Sequence, residues 1–113
     1  EFRHVLFRSL RSNAPHEARK LRQAAGNAVA HGMSWDKAFA AITQVPAAAF
    51  GAAPLGTLTV GEKAHLVVWS GDPLNVTSLV ETQWLDGQPQ RLTSRQTALR
   101  DRYLEKLRRG EAR

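Results

Sequence analysis

The chain has 113 residues, enough for one small domain or for one part of a larger one. It contains no cysteine, which excludes disulfide bonds and thiolate metal sites, and no apolar run approaches the roughly 18 residues of a membrane-spanning helix. The net charge is +6 and concentrates at the two ends; we interpret these ends as solvated helix surfaces, the alternative being attraction to nucleic acid or anionic lipid.

Residues 1–9 have two interpretations. Their end resembles the translation of a short-read sequencing adapter, in which CTC TTC CGA TCT encodes Leu-Phe-Arg-Ser, although His4 stands where the adapter would give Arg. Under this interpretation, which we favour, the protein's own sequence begins near Leu10. The alternative is that residues 5–7 belong to a short buried strand, since periodicity cannot decide over so few residues.

The first predicted helix covers residues 15–31. Pro15 suits a first helical turn, and Asn13 is placed to cap it. Apolar residues recur at three- and four-residue spacing and define one face, with Arg22 and its polar neighbours largely on the other side. The apolar positions are Ala18, Leu21, Ala25, Ala28 and Val29.

A second helix is predicted to begin after Ser34 and to run to about Thr43. Its buried stripe would contain Trp35, Ala38, Phe39 and Ile42. Val45-Pro46 should break it, because the residue before a proline is pushed out of the helical region. Residues 46–50 would then form a short helical turn.

From Gly56 the pattern alternates, as is typical of strands. Leu58 and Val60 predict one short strand, and residues 65–69 and 79–85 predict two more. Asp86-Gly87 predicts a hairpin turn, and Pro89 confines the following segment to a sheet edge. Residues 94–109 predict an amphipathic helix with four large side chains on one face: Leu99, Tyr103, Leu104 and Leu107.

Three segments resemble, in order, the C-terminal part of the amidohydrolase superfamily. Residues 18–30 read A-R-x-L-R-Q-x-A-G-N-A-V-A, and residues 38–51 end in P-A-x-x-F-G. Residues 56–73 fit a loop reading roughly G-x-L-x-x-G-K-x-A-D, then a strand and a G-D-P turn. Residues 79–87 fit the final strand with its D-G turn. The resemblance looks closest to the imidazolonepropionase-like group. His65 departs from it, standing where the family usually has Asp, and should weaken the turn hydrogen bond that the aspartate would accept.

This resemblance implies an α/β fold and a fragment. The chain would contain the last helices of a TIM-like (β/α)₈ barrel, the C-terminal part of a small accessory β-sandwich and a terminal helix. The divisions would be residues 1–9, foreign; 10–53, the end of the barrel; 54–92, the sandwich segment; and 93–113, the C-terminal helix.

The resemblance also implies the chemistry of the parent enzyme, hydrolysis of an amide or cyclic C–N bond. One or two divalent metals, most simply zinc, would lower the pKa of a bound water that attacks the carbonyl carbon. The family's ligands include a His-x-His pair and an aspartate ending the last barrel strand. The chain has no His-x-His. We therefore expect it to bind no metal and to be inactive alone.

Two residues are candidates for contact with substrate. In one register Asn13 occupies the place of the family's last aspartate, and in another that aspartate lies upstream of the chain. His16 would lie at the N-terminus of the next helix, at the end of a barrel that carries active sites. The alternative for His16, which we favour, is a solvent-exposed histidine at a helix start.

The competing hypothesis is a small basic module that binds nucleic acid or another protein. The nucleic-acid hypothesis rests on the charged ends alone, because no zinc-finger spacing or aromatic RNA-binding strand is present. In the protein-interaction hypothesis the C-terminal helix docks on a partner. We expect a small-molecule substrate for the parent, no nucleic-acid or membrane partner, and aggregation of the isolated chain through exposed apolar faces. The tryptophans Trp35, Trp69 and Trp84 should be core residues. The substrate, the metal and the cellular compartment stay unassigned.

Overall fold

A computed structural model describes residues 9–12 and 14–110. Within them a 3₁₀ helix, Pro15–Lys20, leads directly into α1, and the helical half ends before residue 50. The elements are α1 (Leu21–Ala30), α2 (Trp35–Ala40), α3 (Gln44–Ala49), β1 (Leu66–Trp69), β2 (Val80–Leu85), β3 (Gln88–Pro89) and α4 (Arg95–Arg108). The two interpretations of residues 1–9 concern a segment that lies outside the described residues, apart from Ser9.

The first predicted helix is present, but its first six residues are 3₁₀ rather than α-helical. Ala14, in extended conformation, precedes Pro15 and gives no side-chain capping bond. Asn13, the predicted cap, lies outside the described residues. At the other end the Nδ1–H of His31 donates to the carbonyl oxygen of Asn27 over 2.8 Å. A histidine donor therefore satisfies one of the last carbonyls of the helix.

The predicted second helix is wrong in length and in the cause of its break. α2 ends at Ala40, three turn residues follow, and α3 already begins at Gln44. Pro46 therefore lies in the first turn of α3, where its missing N–H needs no partner. The break lies at Thr43, which has φ of −124° and ψ of −93°. Its hydroxyl donates to the carbonyl oxygen of Phe39 over 2.7 Å.

The strands form an antiparallel sheet in the order β1-β2-β3. Leu66 pairs with Trp84 and Val67 with Gln83. The predicted hairpin at Asp86-Gly87 is confirmed: the two residues have φ of 49° and 74°, the positive values that a tight two-residue hairpin requires. Pro89 lies on edge strand β3, as predicted.

The strand predicted at residues 58–60 does not form, so that prediction is wrong. Leu58 and Val60 are 82% and 103% exposed, and the segment is irregular. A strand needs a hydrogen-bonded neighbour, and in the described part of the chain neither β1 nor β3 pairs with this segment.

The core of the described residues is small and consists mainly of alanine. Ala25, Ala38, Ala41 and Leu74 are buried, and no large side chain is fully buried. Partly buried residues surround Ala25, Ala38 and Leu74, namely Leu10, Val29, Met33, Phe39 and Ile42. The prediction that the three tryptophans are core residues is wrong. Trp35 is exposed and stacks on Phe39 with ring centroids 4.9 Å apart, and Trp69 and Trp84 are half-buried.

The molecule is elongated, measuring 66 × 35 × 25 Å with a radius of gyration of 18.0 Å. A compact domain of this length has a radius of gyration of about 13 Å. Helix α4 accounts for part of the difference, since it makes no extensive contact with another described helix or strand. None of the described helices combines the length and the apolarity that crossing a bilayer requires.

Candidate functional site

The helical half and the sheet meet at the connection between β1 and β2. Leu74 lies in this connection and packs against Ala25 of α1 and Ala38 of α2. The backbone approaches closely as well: a Cβ atom added to Gly26 would lie 2.5 Å from the carbonyl oxygen of Leu74. Helix α1 and the connection are therefore in direct backbone contact.

Asp72, in the Gly71-Asp72-Pro73 turn, joins the connection to helix α2. Its Oδ1 accepts the backbone N–H of Leu74 over 2.8 Å and the indole N–H of Trp35 over 3.0 Å. The first bond is the local turn that aspartate favours before a proline, and the second crosses to another element. One carboxylate oxygen thus shapes the turn and attaches it to α2.

Arg22 makes the corresponding link from helix α1. Its Nη1 donates to the carbonyl oxygen of Ser78 over 2.9 Å, and its guanidinium lies 4.4 Å from the ring centroid of Trp69. A cation at this distance from an indole face is attracted by the ring. Arg22 was predicted among the polar residues of the helix; unlike the exposed Gln23 beside it, its side chain is half-buried because it reaches the end of β1.

A groove of about 500 Å³ lies beside this junction. It is bounded by the start of α1, the end of α2, the 54–58 loop and strand β1. Arg19, Glu62, Lys63 and His65 contribute to its lining, while most of its walls are apolar, including Leu21, Ile42, Leu55, Leu66 and Val67. Such a lining suits the packing of apolar groups better than proton transfer.

His65 contacts the hairpin turn. Its Nδ1 accepts the backbone N–H of Asp86 over 3.2 Å, so the ring proton is on Nε2, which lies 3.6 Å from the Asp86 carboxylate. Histidine therefore supplies an acceptor at the position where the resemblance would place aspartate. That its bond is weaker than an aspartate's stays a prediction.

Of the two predicted site residues, the structure describes His16. Asn13 lies outside the described residues. His16 is exposed on the 3₁₀ helix and does not line the groove. Across residues 9–12 and 14–110, no three histidine or carboxylate side chains are close enough to hold a metal ion. Arg22 and Asp72, by contrast, each make contacts that hold the β1–β2 connection against a helix.

Replacing Asp72 with alanine should lower the free energy of unfolding by about 1–2 kcal/mol, because the Leu74 N–H and the Trp35 indole N–H both lose their acceptor. Asp72→Asn is the matched control, since the amide oxygen can accept both bonds. Urea unfolding followed by circular dichroism measures the difference. Equal losses for the two variants would show that the carboxylate charge, rather than the hydrogen bonds, matters.

Comparisons with known proteins agree on one family. The family model described as "Amidohydrolase family" matches residues 6–96. The solved structure of an amidohydrolase from Thermotoga maritima MSB8 is similar, with a TM-score of 0.65 and 28% identity. The match covers 77% of this chain but only 23% of that one, so the chain spans about a quarter of the length of the protein that it resembles. No curated protein sequence matches the chain.

Proposed function

The chain belongs to the amidohydrolase family, and on that basis we propose that it is the C-terminal part of a longer, metal-dependent enzyme that hydrolyses an amide or a cyclic C–N bond. The family match extends over most of the chain, whereas the similar solved structure is about four times as long as the matched region. The finer assignment to imidazolonepropionase-like enzymes rests on the motifs at residues 18–30 and 56–73.

Strand β1 carries the proposal, because it has the composition of an interior strand but lies at an edge of the sheet. Leu66, Val67 and Val68 are apolar on both faces, as in strands that are covered from both sides. All three are exposed, and within residues 9–12 and 14–110 β1 pairs only with β2. Further polypeptide of the longer enzyme would cover these faces, and we propose that it completes a small β-sandwich.

The same proposal accounts for the exposed residues beside the groove. Leu58 and Val60 have strand-forming side chains and almost full exposure. In the complete enzyme a neighbouring strand would give this segment hydrogen-bonding partners. Helices α1 to α3 would then belong to the end of a (β/α)₈ barrel.

The residues of this chain would hold the accessory sheet against the barrel. Asp72 attaches the connection to α2, Arg22 attaches it to α1, and Gly26 allows the close backbone approach. Positioning of this kind matters in catalysis because small displacements of reacting groups are costly. We retain His16 as a candidate for substrate contact in the complete enzyme.

The described residues do not fit the divalent metal that the family's chemistry requires. No described group of three histidines or carboxylates could hold one, so we derive no catalytic step through a metal here. We propose that the ligands, for zinc in the simplest case, belong to the rest of the longer enzyme. When bound, the metal would supply a nucleophilic hydroxide near neutral pH.

The purified 113-residue chain should retain no zinc after dialysis against buffer, gain no thermal stability from added zinc and hydrolyse no amide or cyclic amide. The longer reading frame of the source genome should encode a His-x-His motif, and its product should bind about one or two metal ions and be active. Metal content by mass spectrometry and a hydrolysis assay on both proteins decide the question.

Asp72→Ala in the longer protein is a useful companion variant. It should lower thermal stability and activity together and leave the metal content unchanged, because Asp72 attaches the β1–β2 connection to α2 and binds no metal in this proposal. Hydrolysis by the isolated chain with a stoichiometric metal would overturn the proposal. So would an upstream reading frame that ends immediately before residue 10.

A further inference from the structure

Helix α4 lies beyond the part of the chain that carries the family resemblance. The family match ends at residue 96, and α4 spans Arg95–Arg108. The helix begins with a strong local signal, a capping box in which Ser94 and Thr97 each accept from the other's backbone N–H. It makes no extensive contact with another described helix or strand. The helix therefore lies almost wholly outside the matched residues and has its own start signal.

One face of α4 carries four large apolar side chains. Leu99, Tyr103 and Leu107 are spaced four residues apart, and Leu104 lies beside them. Their exposures are 37%, 60%, 61% and 45%, respectively. This face is an apolar stripe about two turns long with no cover in the described chain.

Basic side chains border the apolar stripe on both sides. The ammonium group of Lys106 lies 5.9 Å from the centroid of the Tyr103 ring, so it flanks one edge. Arg108, four residues after Leu104, flanks the other edge, and Arg100 lies between Leu104 and Leu107 on the same face. Residues 95–109 carry a net charge of +4, from six basic and two acidic residues.

The two acidic residues lie roughly opposite the apolar stripe. Asp101 and Glu105 are four residues apart, and each is paired with an arginine of the same helix, Arg100 and Arg109, respectively. A surface that contacts the apolar stripe would therefore meet the cations at its borders and leave both carboxylates in water. The charge pattern is directional, and it fits a negatively charged partner with an apolar interior.

We propose that α4 binds reversibly to the surface of a membrane that contains anionic lipids. Leucine and tyrosine side chains would enter the boundary between headgroups and acyl chains, while the long basic side chains reach the phosphates. A second copy of the chain is disfavoured because it would bring two sets of basic borders together. Nucleic acid would use the cations and leave the apolar stripe exposed. The inference departs from the expectation of no membrane partner and does not depend on the proposed hydrolase.

Vesicle flotation tests the proposal with the full 113-residue chain. Flotation is suited to it because protein that aggregates without lipid stays at the bottom of the gradient. The chain should float with vesicles that contain about 30 mol% phosphatidylglycerol, and about tenfold less should float with phosphatidylcholine alone. Raising NaCl to about 0.5 M should remove most of the difference.

Three variants make the test specific to α4. Leu104→Ser combined with Leu107→Ser should reduce binding to anionic vesicles about tenfold or more, and their exposure means that the fold is preserved. Leu58→Ser combined with Val60→Ser removes apolar groups that are even more exposed, elsewhere in the chain, and should change nothing. Glu105→Gln, on the far face, should leave binding equal or stronger.

Four outcomes would overturn the proposal. They are no flotation with anionic vesicles, equal flotation with both lipids, equal losses for the two double variants, and a dimer in analytical ultracentrifugation that Leu104→Ser with Leu107→Ser dissociates. The last result would identify the partner as a second copy. Salt-sensitive binding to DNA that survives the leucine changes, with no flotation, would identify it as nucleic acid.

Discussion

Replacing Gly56 with alanine should strongly destabilise the isolated chain. Gly56 has φ of +85°, where alanine is strained by about 1–2 kcal/mol. A Cβ there would also lie 2.6 Å from the carbonyl carbon of Thr43 and 2.7 Å from the nitrogen of Gln44. Both atoms are backbone at the start of α3, so no side chain can move aside. We expect a total loss of about 3–5 kcal/mol in the free energy of unfolding.

Gly61→Ala separates backbone strain from the steric clash. Gly61 has φ of +92°, close to that of Gly56, and no atom lies within 4 Å of its added Cβ. This control should lose only the strain, about 1–2 kcal/mol. Urea unfolding followed by circular dichroism gives both values. Similar losses for the two variants would mean that the 54–58 loop does not pack against Thr43 as described.

Gly26→Ala should destabilise the chain although it improves the helix. Alanine in a helix interior normally stabilises by about 1 kcal/mol relative to glycine. Here the new Cβ would meet the carbonyl oxygen of Leu74 at 2.5 Å and force α1 away from the connection. Since overpacking costs about 1–3 kcal/mol and the helical gain offsets about 1 kcal/mol of it, we expect a net loss of up to about 2 kcal/mol.

The neighbouring substitution Asn27→Ala is the matched control for Gly26. Asn27 is exposed in the same helix, and alanine there should stabilise by about 0.5 kcal/mol. Opposite signs for two adjacent changes to alanine would establish that the contact with Leu74, and not helix propensity, decides the result. A gain in stability for Gly26→Ala would show that α1 and the connection are not in contact.

Local signals predicted the elements that depend on local physics. The hairpin at Asp86-Gly87 and the helix after Ser94 are set by turn and capping chemistry within a few residues. The break near Thr43 was attributed to Pro46 because the rule for the residue before proline is local. The break is caused by the backbone conformation of Thr43, and Pro46 lies in the first turn of α3. Sequence spacing does not distinguish a proline that ends one helix from a proline that begins the next.

Contacts between distant residues could not be predicted in the same way. Asp72 was recognisable as a turn residue, yet its bond to Trp35 joins positions 37 residues apart. Arg22 lies at the border between the apolar and polar faces of α1, and its side chain is half-buried because Trp69 lies beside it. The strand expected at Leu58 and Val60 failed because alternation predicts a strand only where a neighbouring strand exists.

The alanines at the helix–sheet junction have a consequence for motion. A methyl group has no rotamer to change, so Ala25 and Ala38 lose no side-chain entropy on packing and offer no alternative packed arrangement. Thermal energy therefore has few ways to loosen this joint short of separating its parts. We therefore expect the sheet and the helices to move together as one rigid body.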